Sequence, residues 1–208
     1  HLSLRRQRQM CIRDSPKAPG PLILALSLLA SEKSTLKPLL DAAMKTEVSP
    51  ELRMGYSRAL LSLQLPKEAG AQLTILNSKH PEFLDGWLLH GLMLLENSQP
   101  AEAEKRLTEY VRRVGASPNA EQRVGLSEAL MSLSQIAQKQ GKLDRANQWL
   151  SQIPAGTDPI KLASRQADLL AQQGRMDEAK RVLAQIKPAN AEQARRKVLA
   201  QSFLLLSL

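Results

Sequence analysis

The side chains suited to acid–base or metal chemistry are few and scattered in this sequence. Its three histidines and one cysteine are His1, His80, His90 and Cys11. His80 precedes a proline, and His90 lies in an apolar segment, where we expect a packed, hydrogen-bonded histidine. The sequence has no HExxH, paired CxxC or GxSxG motif, so it lacks the groups that metalloproteases, zinc ribbons and serine hydrolases need. We therefore predict no catalytic, metal-binding or cofactor-binding site.

Two other patterns imitate functional sites. Gly86 and Gly91 have the spacing of a phosphate-binding loop, but Leu92 and Met93 stand where a lysine and a hydroxyl are required,. Asp177 and its neighbouring glutamate fall in the first turn of a predicted helix, where the helix dipole favours negative charge. Neither pattern therefore indicates an enzyme.

The segment 84–111 predicts two helices that form a tight hairpin. The first helix is apolar and carries Trp87 and Gly91, and the second is amphipathic and carries Ala103, Leu107 and Tyr110. Small residues suit the point where two helix axes approach closely, and large residues fill the space beside it.

The small residues of this hairpin recur along the chain. In the second helix of each hairpin, with steps of 34, 43 and 33 residues, they are Ala69, Ala103, Ala146 and Ala179. In the first helix, with steps of 34, 43, 33 and 33 residues, they are Ser57, Gly91, Ser134, Ala167 and Ala200. A leucine follows each of the four alanines after four residues. Two independent series with the same steps indicate a helix–turn–helix repeat.

The residues Trp87-x2-His90-Gly91-x2-Leu94, followed by Ala103-x3-Leu107, resemble the signature of the tetratricopeptide repeat,. His90 and Leu94 depart from that signature in residue type. The resemblance implies an all-α fold, a right-handed superhelical solenoid of helix–turn–helix hairpins whose first helices line a concave side.

We divide the chain by the signals that start and end helices. Ser49, Ser117 and Asp158, each followed by proline, are predicted to cap helices, and Gly141 and Gly174 to end them in the left-handed conformation,. The helix after Ser117 is predicted to extend to residue 140, which accounts for the longer step. The predicted segments are a degenerate hairpin broken at Pro38 (16–49), repeats at 50–83, 84–117, 118–159 and 160–192, and the first helix of a further repeat (193–208).

Both ends of the chain depart from the repeat pattern. Residues 1–15 resemble a translated sequencing adapter, and we interpret them as an artefactual or disordered tail. Residues 21–30 are consistent with a secretory signal and are too short for a membrane span, which needs about 20 apolar residues. We favour the first helix of the degenerate hairpin, because the basic residues before this segment lie largely in the tail 1–15. Asn190 and Gln193 are predicted to form a capping box for the last helix. The apolar residues 203–206 suggest a fragment of a longer array.

The charge of the chain favours a solvated surface over a nucleic-acid interface. The formal net charge is +9, and residues 1–15 contribute +3 of it. No basic helix alternates with stacking aromatic residues, as a nucleic-acid-binding face would require. Nucleic-acid binding through helical repeats remains an alternative that predicts steep salt dependence.

The family resemblance also predicts which residues face the concave groove. These are Met54, Arg58, Leu61, Leu88, Leu92, Leu95, Met131, Gln135, Gln138, Ser164, Asp168 and Ala171. The helix of Leu88, Leu92 and Leu95 has no charged residue between Asp85 and Glu96. A helix that is apolar all round is buried or binds a partner.

We therefore expect a non-enzymatic scaffold whose partner is a peptide or helical segment of another protein. The Ala-, Gln- and Leu-rich helices look similar to those of bacterial cell-envelope repeat proteins, some of which are adaptor lipoproteins. Self-association of the repeats is the alternative. The lysine and asparagine pairs of the family's clamp for chaperone carboxylates are missing from the mapped positions.

The repeat register makes a prediction for Ala103. Replacing Ala103 by leucine is expected to overpack the close approach of the hairpin and to lower the free energy of unfolding by ~1–3 kcal/mol. Thermal unfolding followed by circular dichroism measures this change, and an unchanged melting temperature would contradict the register.

Overall fold

Helices and short connections make up the described part of the chain. The computed structural model describes residues 19–115 and 118–206, so the predicted tail 1–15, with His1 and Cys11, and the predicted cap Ser117 lie outside the described residues. The described residues form eleven helices and no strand. The helices are α1 (Pro19–Leu28), α2 (Lys33–Met44), α3 (Pro50–Ser62), α4 (Pro66–Lys79), α5 (Leu84–Glu96), α6 (Pro100–Val114), α7 (Ala120–Lys139), α8 (Leu143–Ser151), α9 (Pro159–Gln172), α10 (Met176–Gln185) and α11 (Ala191–Leu206).

The helices belong to two compact units, one ending at Gln99 and the other starting at Pro100. In the first unit, α1 packs against α2 and α3, and α4 packs against both α3 and α5. In the second unit, α7 packs against α6 and α8, α9 packs against α8 and α10, and α11 contacts α9 and α10. Neighbours in sequence therefore supply most of the packing, as repeat proteins require.

The small residues at the repeat positions are buried. Ala69, Ala103, Ala146 and Ala179 are all 0% exposed, and the leucine four residues after each of them is also buried. Among their counterparts in the first helices, Ser57, Gly91, Ser134 and Ala167 are buried, whereas Ala200 is half-buried. Alanine at these positions lets two helix axes approach closely, and each buried leucine stabilises the contact by about 1.5–3 kcal/mol.

Two helix starts follow the sequence prediction. The Ser49 hydroxyl accepts a hydrogen bond from the Leu52 N–H at 3.3 Å at the start of α3. Asp158 caps α9, and in both helices a proline occupies the first position after the cap. The Asp158 carboxylate accepts hydrogen bonds from the N–H groups of Ile160 and Lys161, at 3.0 and 3.2 Å. These caps satisfy amide groups that have no partner inside the helix.

The prediction that Pro38 breaks a helix is wrong. Pro38 lies inside α2, and the break falls between α1 and α2 at residues 29–32. A proline inside a helix removes one hydrogen bond. Two features hold α2 together across it: Leu36 and Leu40 are buried, and the Lys37 ammonium donates to the Asp41 carboxylate at 2.8 Å.

The start of α7 also differs from its prediction. The helix begins at Ala120, two residues after Pro118, and Asn119 is its cap. The Asn119 side-chain oxygen accepts from the Gln122 N–H at 2.8 Å, and the Gln122 side-chain oxygen accepts from the Asn119 N–H at 3.0 Å. This reciprocal capping box satisfies two amide groups at once. The far end of α7, at Lys139, agrees with the predicted length.

The last described helix does not pack as the repeat register predicts. In α9, Leu162 and Leu169 pack against α8. The corresponding residues of α11 are Arg195 and Ser202, and both are exposed. Because these residues are polar, α11 presents another face inward, and Leu204 packs with the core residues of α9 and α10.

Two groups of hydrogen bonds hold α11 in this position, one to the end of α10 and one at its own start. The Lys197 ammonium donates to the carbonyl oxygens of Ala184 and Ile186, at 2.8 and 2.7 Å, beside the end of α10. At the start of α11, the Asn190 side chain accepts from the Gln193 N–H as predicted. The Gln193 side chain, however, accepts from the Ala189 N–H, so the box is displaced by one residue.

A left-handed residue lies shortly before each of the helices α4, α6, α8 and α10. Gly141 and Gly174 both have φ 74, as their sequence positions predict, while Gln64 and Ser98 have φ 59 and φ 58. All four stand five residues before a buried alanine. The glycines adopt this conformation without strain, whereas for a residue with a side chain it costs roughly 1–2 kcal/mol.

This comparison makes a prediction for Gln64. Gln64→Gly is expected to raise the free energy of unfolding by about 0.5–1 kcal/mol, because glycine removes the strain of the left-handed backbone. Gly141→Ala is expected to lower it by about 1 kcal/mol for the opposite reason. Urea unfolding measures both changes. The control is Gln140→Gly, a helix C-cap with φ −84, where glycine should bring no gain; a gain there equal to that of Gln64→Gly would contradict the explanation.

Candidate functional site

Helix α5 packs against α4 through Gly86, His90 and Met93. A side chain at Gly86 would meet Asn77 and Leu76 at 2.6 and 2.9 Å, and the Met93 methyl lies 3.3 Å from the Cβ position of Gly70. The His90 Nδ1 lies 3.3 Å from the Asn77 side-chain nitrogen, and His90 is 4% exposed. His90 is therefore a packed, hydrogen-bonded histidine, as expected.

A second face of α5 is also buried. It consists of Trp87, Gly91 and Leu94, and the Trp87 indole donates to the Pro81 carbonyl oxygen at 3.1 Å. This face was identified from the sequence. On the face that contacts α4, the sequence predicted the packing of His90 alone, and the packing of Gly86 and Met93 was missed. Two buried faces explain most of the absence of charge between Asp85 and Glu96.

The remaining face of α5 carries the predicted groove residues Leu88, Leu92 and Leu95. All three are half-buried, so they are partly accessible to a partner. On α3, Leu61 is half-buried and Arg58 is exposed, with its guanidinium 4.0 Å from the Asp85 carboxylate.

Met54 differs from the other predicted groove residues of the first unit. It is 3% exposed and belongs to the core. Helix α1 packs against α3 beside it, with Leu26 lying 3.2 Å from the Cβ position of Gly55. The degenerate first hairpin therefore covers part of the surface of α3 that sequence reasoning assigned to a partner.

In the second unit, a cleft opens between α7, the loop 152–158 and the start of α9. We call it the α7–α9 cleft, and its volume is about 490 Å³. The predicted groove residue Met131 lines it with only 6% of its surface exposed, while Val124 is 71% exposed. Polar groups of Arg123, Ser127 and Lys161 complete part of the lining.

A second cleft, the α9–α11 cleft, has a volume of about 440 Å³ and includes the predicted residues Ser164 and Asp168. Leu199 and Phe203 of α11 form its apolar side. Phe203 is 69% exposed. Sequence reasoning missed this contribution of α11, because it depends on the inverted packing of that helix.

Arg165 connects the predicted groove residues of α7 and α9. Its guanidinium donates to the Gln138 side-chain oxygen at 2.8 Å and lies 3.8 Å from the Asp168 carboxylate. Burial lowers the pKa of Arg165 and raises the pKa of Asp168, because both lose hydration,. Gln135, one turn before Gln138, is half-buried.

Other perturbed side chains have structural partners. The Tyr56 hydroxyl donates to the Asp41 carboxylate at 2.6 Å, and burial raises the pKa of this tyrosine well above its usual range. Within residues 19–115 and 118–206, no three His, Cys, Asp or Glu side chains are grouped to hold a metal ion. No helix in those residues is long and apolar enough to cross a membrane.

This chain is similar to known proteins in its structure. No protein-family model matches the sequence, and no curated protein matches it. Among solved structures, YrrB, a tetratricopeptide-repeat protein with an unusual peptide-binding site, has a TM-score of 0.64 at 17% identity over 96% of each chain.

Two bacterial structures are also similar. PilF of Pseudomonas aeruginosa has a TM-score of 0.58 at 17% identity, over 98% of this chain and 89% of its own. A thermophilic tetratricopeptide-repeat protein of Thermus thermophilus has a TM-score of 0.54 at 21% identity, over 88% of this chain and 97% of its own. Together with the buried small residues at the repeat steps, these similarities show that the chain has the tetratricopeptide-repeat fold.

Proposed function

We propose that this protein is a non-enzymatic scaffold that binds a segment of another protein on the open faces of its first helices. The observation that carries the proposal is the position of two clefts in the second unit, the α7–α9 cleft and the α9–α11 cleft. They open at Met131, Ser164 and Asp168, which the sequence assigns to a groove. In the first unit, the uncharged face of α5 formed by Leu88, Leu92 and Leu95 offers a comparable surface.

The similarity in fold to YrrB supports a peptide or a helical segment as the ligand. A finer form of the proposal is an adaptor in bacterial envelope protein processing or assembly. The composition of the helices supports it, and it places the protein in the periplasm or at the outer membrane, with the cytoplasm as the alternative. No cofactor is part of this proposal.

Leu92→Glu tests the face of α5. Peptides are first selected from a random displayed library on the wild-type chain, and their affinities are measured by fluorescence anisotropy. The variant is expected to bind those peptides that contact the first unit with an affinity more than tenfold lower, because it places a charge on an apolar contact surface.

The control for Leu92→Glu is Ala71→Glu, which adds the same charge at an exposed position of α4, the second helix of its hairpin. It should leave affinity unchanged. Circular dichroism and thermal unfolding should change little in either variant. If helicity and binding collapse together in Leu92→Glu, the residue belongs to the core and the proposed face is wrong.

Self-association is a second candidate function, and the surface of α11 favours it. Val198, Leu199, Phe203, Leu205 and Leu206 are each more than half exposed on this one helix. Several exposed apolar side chains on one helix favour an interaction site.

Light scattering over a range of concentrations tests self-association. The wild-type chain is expected to increase in mass with concentration, and Phe203→Asp is expected to remain monomeric, because the charge opposes burial of α11. Val124→Asp, which changes an equally exposed apolar residue of α7, serves as the control. A wild-type mass that stays monomeric at all concentrations would contradict this candidate.

A further inference from the structure

Helix α7 is longer than the other first helices, and the added length lies at its start. Helix α7 begins 14 residues before Ser134, the small residue of its repeat. The other first helices begin closer to their small residues: α3 and α5 begin seven residues before theirs, and α9 begins eight residues before its own. The extension amounts to roughly two turns. It carries Arg123 and Val124, which line the α7–α9 cleft. One part of this cleft therefore comes from turns that depart from the repeat, and Ser127, Glu128 and Met131, which follow them in α7, supply another part.

The opposite wall of the cleft is a loop that contacts α7 just after this extension. The hydroxyl oxygens of Ser127 and Thr157 are 2.8 Å apart, within hydrogen-bond distance. The Thr157 hydroxyl also lies 2.8 Å from the carbonyl oxygen of Pro154. Gly156 has φ 90, a left-handed conformation that favours glycine,. The wall is thus held by a side-chain contact and a local turn, which preorganises the cleft for binding.

The charges in the cleft are unequally engaged. Asp158 caps α9 and its carboxylate lies 2.7 Å from the Arg196 guanidinium. The side chains of Arg123 and Lys161, in contrast, are exposed and make no ion pair with any residue that the structure describes. Two cations beside the apolar Met131 and Val124 suit an anionic group attached to an aliphatic one.

The cleft also carries one acidic group that is free of ion pairs among the described residues, Glu128. It is five residues from Arg123, which places the two side chains roughly 140° apart around the helix. The carboxylate of a ligand can therefore bind Arg123 while its chain passes Glu128. Lys161 lines both this cleft and the α9–α11 cleft, so a bound chain has space to continue past it.

We propose that the α7–α9 cleft binds an internal segment of a partner protein in which an acidic residue adjoins an aliphatic residue. The acidic side chain bonds to Arg123 and Lys161, and the aliphatic side chain contacts Val124 and Met131. This inference rests on the proposed function and specifies the chemistry of the partner at one of its sites.

Peptide selection with a charge reversal tests the inference. Random 12-residue peptides are selected on the full chain, and the enriched peptides are synthesised with both ends blocked. Peptides with adjacent acidic and aliphatic residues are expected to be enriched, and replacing the acidic residue by its amide should weaken binding roughly tenfold, because a charge-assisted hydrogen bond is lost. Arg123→Glu combined with Lys161→Glu should instead select basic peptides.

The matched control is Lys139→Glu combined with Lys142→Glu, which makes the same change of net charge at exposed positions of the same unit. It should leave the acidic preference unchanged. Enriched peptides without an acidic residue, equal binding to the charge-reversed variant, or binding that requires a free carboxyl terminus would each overturn the inference.

The two proposals fail in different ways. If the wild-type chain enriches no peptide at all, both the scaffold proposal and the cleft proposal are wrong. If enriched peptides lose affinity with Leu92→Glu and keep it after the charge reversal, only the cleft proposal is wrong.

Discussion

The close approach of helices at alanine is the interaction on which this structure depends. Ala69, Ala103, Ala146 and Ala179 have no exposed surface, so a larger side chain at any of them would push a neighbouring helix away. In the second unit, Ala167 and Ala179 of consecutive helices belong to the same core cluster. Each leucine one turn further along fills the space that this approach creates. The repeat is therefore held by a few buried residues, and most of the remaining surface is free to vary.

The sequence predicts what depends on those residues and on local hydrogen bonds. The steps of the small residues identify the hairpins, and a serine or aspartate before proline identifies the starts of α3 and α9. Both signals act within one or two turns, where the chemistry of a single side chain decides the conformation. Residue type also predicts the left-handed backbone at Gly141 and Gly174.

Predictions that depend on tertiary neighbours are less successful. Gln64 and Ser98 adopt the left-handed conformation because the hairpin requires it, and their side chains give no sign of it. The burial of Met54 follows from a helix that the repeat pattern does not cover. Helix α11 inverts its packing because Arg195 and Ser202 replace apolar residues, and its contribution to a cleft follows from that inversion. For Met54 the deciding partner lies on another helix, whereas for α11 the signal is present in Arg195 and Ser202, and the face that replaces theirs depends on the core of α9 and α10.

The extra turns of α7 lie before the point where it meets α8, and the steps of 33 residues resume after them. An insertion at this end of a helix therefore adds surface without displacing the hairpins that follow. Lengthening one helix can in this way add exposed surface, while the packing of the following hairpins stays unchanged. Such lengthening can change residues like Arg123 and Val124, which line the α7–α9 cleft, without changing Ala137, which packs with the core residues of α8.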